Sequence, residues 1–298
     1  MLEFRTPEIS DMAWVKEAMR ASGETACEYS FGNLYIWSKV YKNKIANFNG
    51  ILLARDCVES SSYLYPCGNG DKKSAVEELM RFSEAEGDGP LEMYCLTPKS
   101  KEELNNMFPD KFEFIEERAY FDYIYNSEDL IYLAGRKYHS KRNHISYFKN
   151  NFDWAYEKIT RDNLSECYEM NRKWEKLHMN ENDGSLDDEL DAIRRGFIKF
   201  EELGFVGGLL RKDGEVIAYT FGEEINSEVF CVHTEKAYSD IRGAYPMINQ
   251  QFCEHELSSY KYINREDDTG DEGLRKAKLS YNPAIILPKY RAVFKGLL

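Results

Sequence analysis

The hydrophobic and polar positions of this chain follow two spacings, one typical of strands and one typical of helices. Residues 2–5 predict a short strand, and apolar residues then recur at helical spacing between positions 11 and 21. The pair Asn49-Gly50 separates two apolar runs, which predicts a β-hairpin because both residue types accept the backbone of a tight turn. The rest of this half predicts strands over 62–66, 91–96 and within 112–125, and helices over 72–84 and 100–107.

A similar order of elements begins again after residue 130. Repetition of strand, helix, antiparallel strands, helix and strand predicts two domains of related build. We therefore expect an α+β (mixed α/β) fold with one domain over 1–130 and a second over 131–298, joined by a helix over 136–151. The other elements of the second half are predicted over 154–159, 163–176, 186–202, 206–211, 216–221, 228–234, 243–257 and 260–264.

Length and composition agree with two folded domains. The chain has 298 residues, of which 43% are hydrophobic, and this exceeds the usual size of a single domain. No apolar run approaches the roughly 18 to 20 residues that cross a bilayer, and the first residues lack the basic-then-apolar order of a secretory signal. We expect a cytoplasmic protein with no stable membrane insertion. The oligomeric state stays open.

Cysteine and histidine spacing predicts neither a disulfide framework nor a metal site. The seven cysteines are scattered singly with no C-x-x-C pair, which is typical of reduced thiols. His139 and His144 are five residues apart and would lie on different faces of a helix. We expect no metal.

Charge distribution singles out one segment. The net charge of -13 disfavours binding of nucleic acid or anionic lipid over the surface as a whole. The segment RKYHSKRNHISYFKNNF is an exception, because Lys137, Lys141 and Arg142 stand with apolar residues at helical spacing. This cationic helix face is either a solvated surface or a binding surface for an anion.

The most unusual stretch of the chain is 262–290, which reads YINREDDTGDEGLRKAKLSYNPAIILPKY. Charged residues crowd there between two short apolar strands, with a helix that carries Arg275 and Lys278. Loops held between regular elements often carry function, so we interpret this segment as part of a site. The alternative is a surface held by salt bridges.

A second candidate lies before the helix predicted over 243–257. Arg242-Gly243-Ala244 joins a loop to the helix start, where backbone N–H groups and the positive helix end favour an anion such as a pyrophosphate. Gly243 permits close approach of a ligand, and Arg242 is suited to pair with an oxygen. A plain turn with no ligand is the alternative.

The order of hairpin, strand, loop and helix resembles the Gcn5-related N-acetyltransferase fold, in which this loop holds acyl-coenzyme A. The family's loop has Gln or Arg, two residues, Gly, one residue, then Gly or Ala; Ser239-Asp240-Ile241-Arg242-Gly243-Ala244 keeps one Arg-Gly and departs elsewhere. With the basic helix and NREDDTGDEGLRKAKLSY, the chain resembles the C-terminal domain family of phosphatidylglycerol lysyltransferases over nearly its whole length. The resemblance implies two tandem acetyltransferase-like domains, each a mixed, mostly antiparallel sheet flanked by helices.

The resemblance also implies transfer of an acyl or aminoacyl group from acyl-coenzyme A or aminoacyl-tRNA to an amine or hydroxyl. Such transfer needs a base, donors for the developing oxyanion and cations for the donor's phosphates. The candidates for the base are Glu223 or Glu224 at the end of the central hairpin, and Asp267 or Asp268 after the strand over 260–264. Tyr281 is the candidate to protonate a leaving group. Each of these has a structural alternative. Glu223 and Glu224 also suit a solvated strand end, Asp267 and Asp268 also suit salt bridges with Arg265 and Arg275, and Tyr281 also suits a packing role.

Binding of the donor is assigned to cations and polar groups on several elements. Cofactor contacts are expected from His233, Arg242, Gly243, Ala244, Arg275 and Lys278, and contacts to substrate or phosphate from Lys141, Arg142, Asn143 and Asn264. His233 is alternatively a core residue. Expected partners are a small-molecule donor and acceptor, with tRNA as a further candidate. The competing function is a non-catalytic module that binds an anionic metabolite, coenzyme A or an RNA end.

Overall fold

A computed structural model of the chain describes residues 2–58, 61–178 and 184–296. The described residues form thirteen strands: β1 Lys44–Phe48, β2 Ile51–Asp56, β3 Ser62–Leu64, β4 Glu92–Leu96, β5 Phe112–Glu116, β6 Asp122–Asn126, β7 Trp154–Lys158, β8 Val206–Lys212, β9 Glu215–Asn226, β10 Val229–Ala237, β11 Tyr262–Asn264, β12 Ile285–Leu287 and β13 Tyr290–Phe294.

The same residues form ten α-helices: α1 Met12–Ser22, α2 Phe31–Ile36, α3 Lys72–Glu86, α4 Pro98–Met107, α5 Ser127–Tyr132, α6 His139–Asn151, α7 Leu164–His178, α8 Gly184–Ile198, α9 Ala244–Glu256 and α10 Glu272–Leu279. None of them, within the described ranges, has both the length and the apolar character needed to cross a membrane.

The chain divides into two compact units. The first unit comprises Met1–Asp122, Glu266–Arg275 and Ile286–Leu298, and the second comprises Tyr123–Arg265 and Lys276–Ile285. Both units draw on separated segments, whereas the division expected from the sequence, 1–130 and 131–298, was contiguous. The physical reason is strand pairing over a long sequence separation, since β13 inserts between β4 and β5.

The first unit is built around a sheet of order β1-β2-β3-β4-β13-β5. Its pairs are antiparallel except for β3 with β4. The β1–β2 turn has φ of 52° at Asn49 and 84° at Gly50, the left-handed backbone that the Asn-Gly pair predicts. Apolar side chains of α3, including Val76 and Leu79, pack on β2 and β4 residues such as Leu53 and form the core.

The second unit contains a sheet of order β12-β6-β11-β10-β9-β8-β7. The long antiparallel strands β8, β9 and β10 form its centre, and β10 pairs with β11 in parallel. Helix α9 packs its buried face, with Met247, Ile248 and Phe252, into the same apolar cluster as Phe230 of β10. This packing fixes α9 beside the strands that carry the candidate site.

The predicted α+β fold class is confirmed, with two mostly antiparallel sheets flanked by helices. Most predicted elements are present within a few residues of their expected bounds. The strand predicted over 2–5 is wrong, because only Arg5 forms an isolated bridge, to Ile45. The helix predicted over 136–151 begins as a 3-10 turn at Arg136–Tyr138 and continues as α6.

Candidate functional site

In the second unit, two parallel strands of unequal length leave an open strand edge. β10 and β11 pair over only three positions, from Val229 with Tyr262 to Cys231 with Asn264. β10 then continues to Ala237, whereas β11 ends. Glu235 therefore lies on β10 beyond the last β11 pair, and Arg265 is the first residue after β11.

These two residues form the centre of a polar group that we call the Arg265 cluster, defined as Lys141, Glu235, Asn249, Arg265 and Tyr281. Nη2 of Arg265 donates to Oε1 of Glu235 at 2.9 Å, and Nδ2 of Asn249 donates to Oε2 of the same carboxylate at 3.1 Å. The guanidinium lies 4.9 Å from the Tyr281 ring centre, and Nζ of Lys141 lies 3.8 Å from it. The five side chains come from three elements, α6, β10 and α9, and from the loops after β11 and α10, so the fold and not local sequence assembles the cluster.

The Arg265 cluster carries more positive than negative charge. It holds two cations and one carboxylate, and the side chains of Arg265 and Glu235 are only 13% and 11% exposed. Burial and, to a smaller extent, the charge on Arg265 lower the pKa of Lys141 to about 8, with Glu235 opposing the shift. Burial disfavours the charge on Arg265, but Glu235 and other neighbours raise its pKa above the usual range. Arg265 thus stays a cation, and Lys141 is divided between its charged and neutral forms near neutral pH.

Two buried polar atoms of the cluster make no hydrogen bond within the described part of the chain. They are Nη1 of Arg265, a donor, and Oδ1 of Asn249, an acceptor. A buried polar atom without a partner costs about 1 to 3 kcal/mol, so each such atom calls for an explanation, for which a bound ligand or water is one candidate. The cluster therefore offers one donor and one acceptor to a ligand.

The backbone around the cluster is held by long polar side chains. Nζ of Lys278 donates to the carbonyl of Arg265 at 2.6 Å, and the hydroxyl of Tyr125 donates to the carbonyl of Lys278 at 2.8 Å. The hydroxyl of Tyr138 donates to the carbonyl of Tyr281 at 2.9 Å. Lys278, expected to clamp a phosphate, therefore positions Arg265. Burial raises the pKa of Tyr281, so its hydroxyl keeps its proton, as the role of leaving-group acid requires.

Glu223 and His233 form a buried pair on β9 and β10. Nε2 of His233 lies 3.2 Å from Oε1 of Glu223, and each side chain is 1% exposed. His233 is the additional residue of a bulge, since Val232 pairs with Gly222 and Thr234 with Phe221. Glu224, on the other face of β9, accepts from the hydroxyl of Tyr260 at 3.0 Å. The base and cofactor roles of these residues stay predictions.

The loop before α9 has few donors for a phosphate. The N–H of Ala244 donates to Ile241 and Pro246 has none, so in the first turn at most the N–H of Tyr245 is available. Gly243 has φ of 93°, and a Cβ there would lie 2.5 Å from the carbonyl oxygen of His144. Because glycine has no Cβ, the backbone of α6 can pack closely against Gly243. Coenzyme A fits this loop poorly. The guanidinium of the exposed Arg242 lies 4.2 Å from the Tyr147 ring centre.

Helix α6 divides its predicted phosphate ligands between different roles. Arg142 donates to the carbonyls of Leu133 and Gly135, the latter at 2.7 Å, and so closes the end of α5. Nδ2 of the exposed Asn143 lies 3.1 Å from Nε2 of His139. Lys141 belongs to the Arg265 cluster. The contacts of Arg142 favour a structural role over phosphate binding.

The acidic run after β11 belongs to the first unit. Asp268 is fully buried and bonds to Arg275 at 2.7 and 2.8 Å and to Arg118 at 3.2 Å. Asp267 accepts from the N–H of Thr269 at 3.0 Å. Asn264 is buried within β11 and pairs with Ile124 of β6. The contacts of Asp268 and Arg275 favour a structural role, and their predicted chemistry stays untested.

Sequence reasoning missed three members of the Arg265 cluster as functional residues. Glu235 stands one residue past a predicted strand and Asn249 lies within a predicted helix, and Arg265 was considered only as a salt-bridge partner of Asp267 and Asp268. A usable signal was present, since Glu235 and Arg265 each stand at or beyond the end of the predicted strands over 228–234 and 260–264. Residues at the ends of neighbouring parallel strands meet in space.

The family model described as phosphatidylglycerol lysyltransferase, C-terminal, matches residues 19–293. An uncharacterized protein of Mycoplasmoides gallisepticum is 23% identical over 181 residues, which is 57% of this chain and 54% of that protein. The chain thus spans about half the length of this curated relative.

Two solved structures extend the comparison over the whole chain. A conserved protein of unknown function from Bacteroides thetaiotaomicron is 38% identical, with a TM-score of 0.95 and coverage of 99% of this chain and 100% of that one. The C-terminal domain of a putative lysylphosphatidylglycerol synthetase from Agrobacterium fabrum is 14% identical, with a TM-score of 0.70 and coverage of 97% and 93%. The second likeness is one of fold.

Proposed function

Because this chain belongs to the phosphatidylglycerol lysyltransferase C-terminal family, we propose that it transfers an aminoacyl group from an aminoacyl ester to a hydroxyl or amine acceptor. We place this reaction at the Arg265 cluster of the second unit. Aminoacyl-tRNA is the expected donor, and the acceptor is a small molecule or a lipid headgroup. The synthetase-like fold supports an aminoacyltransferase, but donor and acceptor are part of the proposal.

The observation that carries the proposal is the buried, unpartnered Nη1 of Arg265. Attack on an ester carbonyl places negative charge on its oxygen, and a fixed donor in a dry site stabilises that charge far more than water does. Glu235 and the Tyr281 ring hold the guanidinium from two sides, so the donor is oriented before substrate binds. Oδ1 of Asn249 supplies an acceptor suited to the ammonium of an aminoacyl group.

The loop before α9 distinguishes between the two candidate donors, an aminoacyl ester and coenzyme A. A coenzyme A pyrophosphate needs several backbone donors at a helix start, and the first turn of α9 has lost those of Ala244 and Pro246. An aminoacyl ester needs no such loop near its reacting carbonyl. We therefore assign the aminoacyl ester as donor and expect acyl-coenzyme A to bind weakly.

Thermal denaturation with donor analogues tests this proposal. The probes are a non-hydrolysable aminoacyl-adenosine amide and coenzyme A, each with wild type, Arg265→Lys and, as the matched control, the exposed Arg161→Lys. A ligand at a hundred times its Kd stabilises by about 2.7 kcal/mol, which raises Tm by roughly 5 to 10 °C for domains of this size. We expect this rise with the amide for wild type and Arg161→Lys, and a much smaller rise for Arg265→Lys. A rise in Tm with coenzyme A alone, or no rise with either probe, would overturn the proposal. Binding of the amide without any transfer of an aminoacyl group would show a non-catalytic binding module.

A further inference from the structure

Lys141 occupies an unusual place for a lysine. Its Nζ lies 3.8 Å from the centre of the Tyr281 ring, and no carboxylate among the described residues lies within 4 Å of it. The one acid of the Arg265 cluster, Glu235, is already bonded to Arg265 and Asn249. A lysine that served only to hold this fold together would gain more from a carboxylate partner or from solvent.

The groups that face Lys141 all act on its charge. Arg265, the first residue after β11, repels the ammonium, and Glu235 on β10 attracts it. Tyr281, after α10, offers only the face of its ring and keeps its own proton because it is buried. These surroundings make the neutral amine accessible near neutral pH, whereas the clamp on phosphate expected from the sequence needs the ammonium.

We propose that the neutral amine of Lys141 is the general base of the transfer reaction and removes the proton from the acceptor nucleophile, an inference that rests on the proposed function. A phosphate clamp would instead need the ammonium, so the two roles of Lys141 depend on opposite protonation states. A base acts best when its pKa lies near the working pH, and the position beside Arg265 provides that condition.

The proposed step balances in atoms and charge. The acceptor's oxygen or nitrogen attacks the ester carbonyl of the donor and gives its proton to Nζ of Lys141, while Nη1 of Arg265 donates to the new oxyanion. The bond between the carbonyl carbon and the donor's oxygen then breaks. The leaving oxygen takes a proton from the Lys141 ammonium, which returns the amine to its neutral form, and no oxidant or further reactant is needed.

The test compares transfer by wild type, Lys141→Arg and Lys141→Met with the control Lys149→Met, whose exposed lysine lies on the same helix. Arginine keeps the cation but cannot act as a base, since its pKa is above about 12. We expect both Lys141 variants to lose about 10²- to 10⁴-fold in kcat with donor KM changed less than about threefold. Wild-type kcat should rise with pH to a plateau, with an apparent pKa of about 8. In a further variant, Lys141→Ala, added small primary amines should restore part of the activity.

Failure of this inference is distinguishable from failure of the proposed function. If wild type transfers the aminoacyl group and Lys141→Arg does so at a similar rate and with the same pH profile, Lys141 is not the base although the function stands. If the Lys141 variants lose donor binding and kcat stays unchanged, Lys141 is a clamp. If wild type transfers from no aminoacyl donor, the proposed function is overturned and the base assignment with it. Circular dichroism of each variant checks that it is folded.

Discussion

Substitution of Lys289 by methionine tests the core of the first unit. Its fully buried Nζ lies 2.7 Å from Oδ1 of Asp122, 2.6 Å from Oε1 of Glu28 and 3.4 Å from Sγ of Cys27. Removing the cation takes the ammonium away from the fully buried carboxylate of Asp122, and loss of one partner of such a pair costs about 3 to 5 kcal/mol. For domains of this size we expect Tm to fall by roughly 6 to 20 °C.

The assay is urea and thermal denaturation followed by circular dichroism, with Lys111→Met as the exposed control, for which we expect a change within about 0.5 kcal/mol. The double variant Lys289→Met with Asp122→Asn should recover part of the loss, because it removes both charges. Burial opposes the charge on Lys289, but the carboxylates of Asp122 and Glu28 raise its pKa well above the usual value. Its stabilisation is therefore fully present below the pKa of an unfolded lysine, about 10.4, and is lost only above it. A Lys289→Met variant within about 1 kcal/mol of wild type at pH 7 would refute this reasoning.

Three further substitutions test other parts of the structure. In Gly243→Ala the new Cβ meets the carbonyl of His144, whereas at Gly214, which has a similar positive φ, a Cβ meets open space. Gly243→Ala should therefore be more destabilising than Gly214→Ala by about 1 to 3 kcal/mol in urea denaturation. Equal losses of stability would contradict the close contact at Gly243. Arg142→Met should cost roughly 1 to 2 kcal/mol without weakening donor-analogue binding, and a loss of binding at unchanged Tm would restore its predicted phosphate role. The pKa of Lys141 is lowered to about 8, so the unfolded state binds more protons than the folded state between pH 8 and about 10.4. Over that range wild type should therefore gain stability relative to Lys141→Met. Parallel profiles of stability against pH for the two proteins would contradict the burial of Lys141.

Local patterns predicted most elements of the fold because the forces that set them are local. The hairpin at Asn49-Gly50 depends on two residues that accept positive φ, and α3 begins at Asp71, whose side chain accepts from the N–H of Ser74. The separated composition of the two units was not predictable, because insertion of β13 between β4 and β5 depends on pairing between distant residues. Sequence patterns carry no direct record of such pairing.

The sequence predicted only some residues of the candidate site, because the others are brought together by pairing between distant strands. Lys141, Lys278 and Tyr281 were named from the sequence, and the structure places all three in or next to the Arg265 cluster. Glu235 and Arg265 were missed as functional residues because their ion pair depends on where β11 ends beside β10. Charge alone does not separate a catalytic role from a salt bridge, and Asp268 and Arg275 do bind each other, as the structural alternative predicts.

The central claim is that the second unit transfers an aminoacyl group at the Arg265 cluster. The most direct measurement is single-turnover transfer from aminoacyl-tRNA carrying a labelled amino acid, with hydroxyl and amine acceptors, catalysed by wild type, Arg265→Lys and the control Arg161→Lys. We expect labelled acceptor with wild type and Arg161→Lys. The transfer rate of Arg265→Lys should be about 10²- to 10³-fold lower than that of wild type, as when an oxyanion donor is lost. Equal rates for wild type and Arg265→Lys would contradict the central claim.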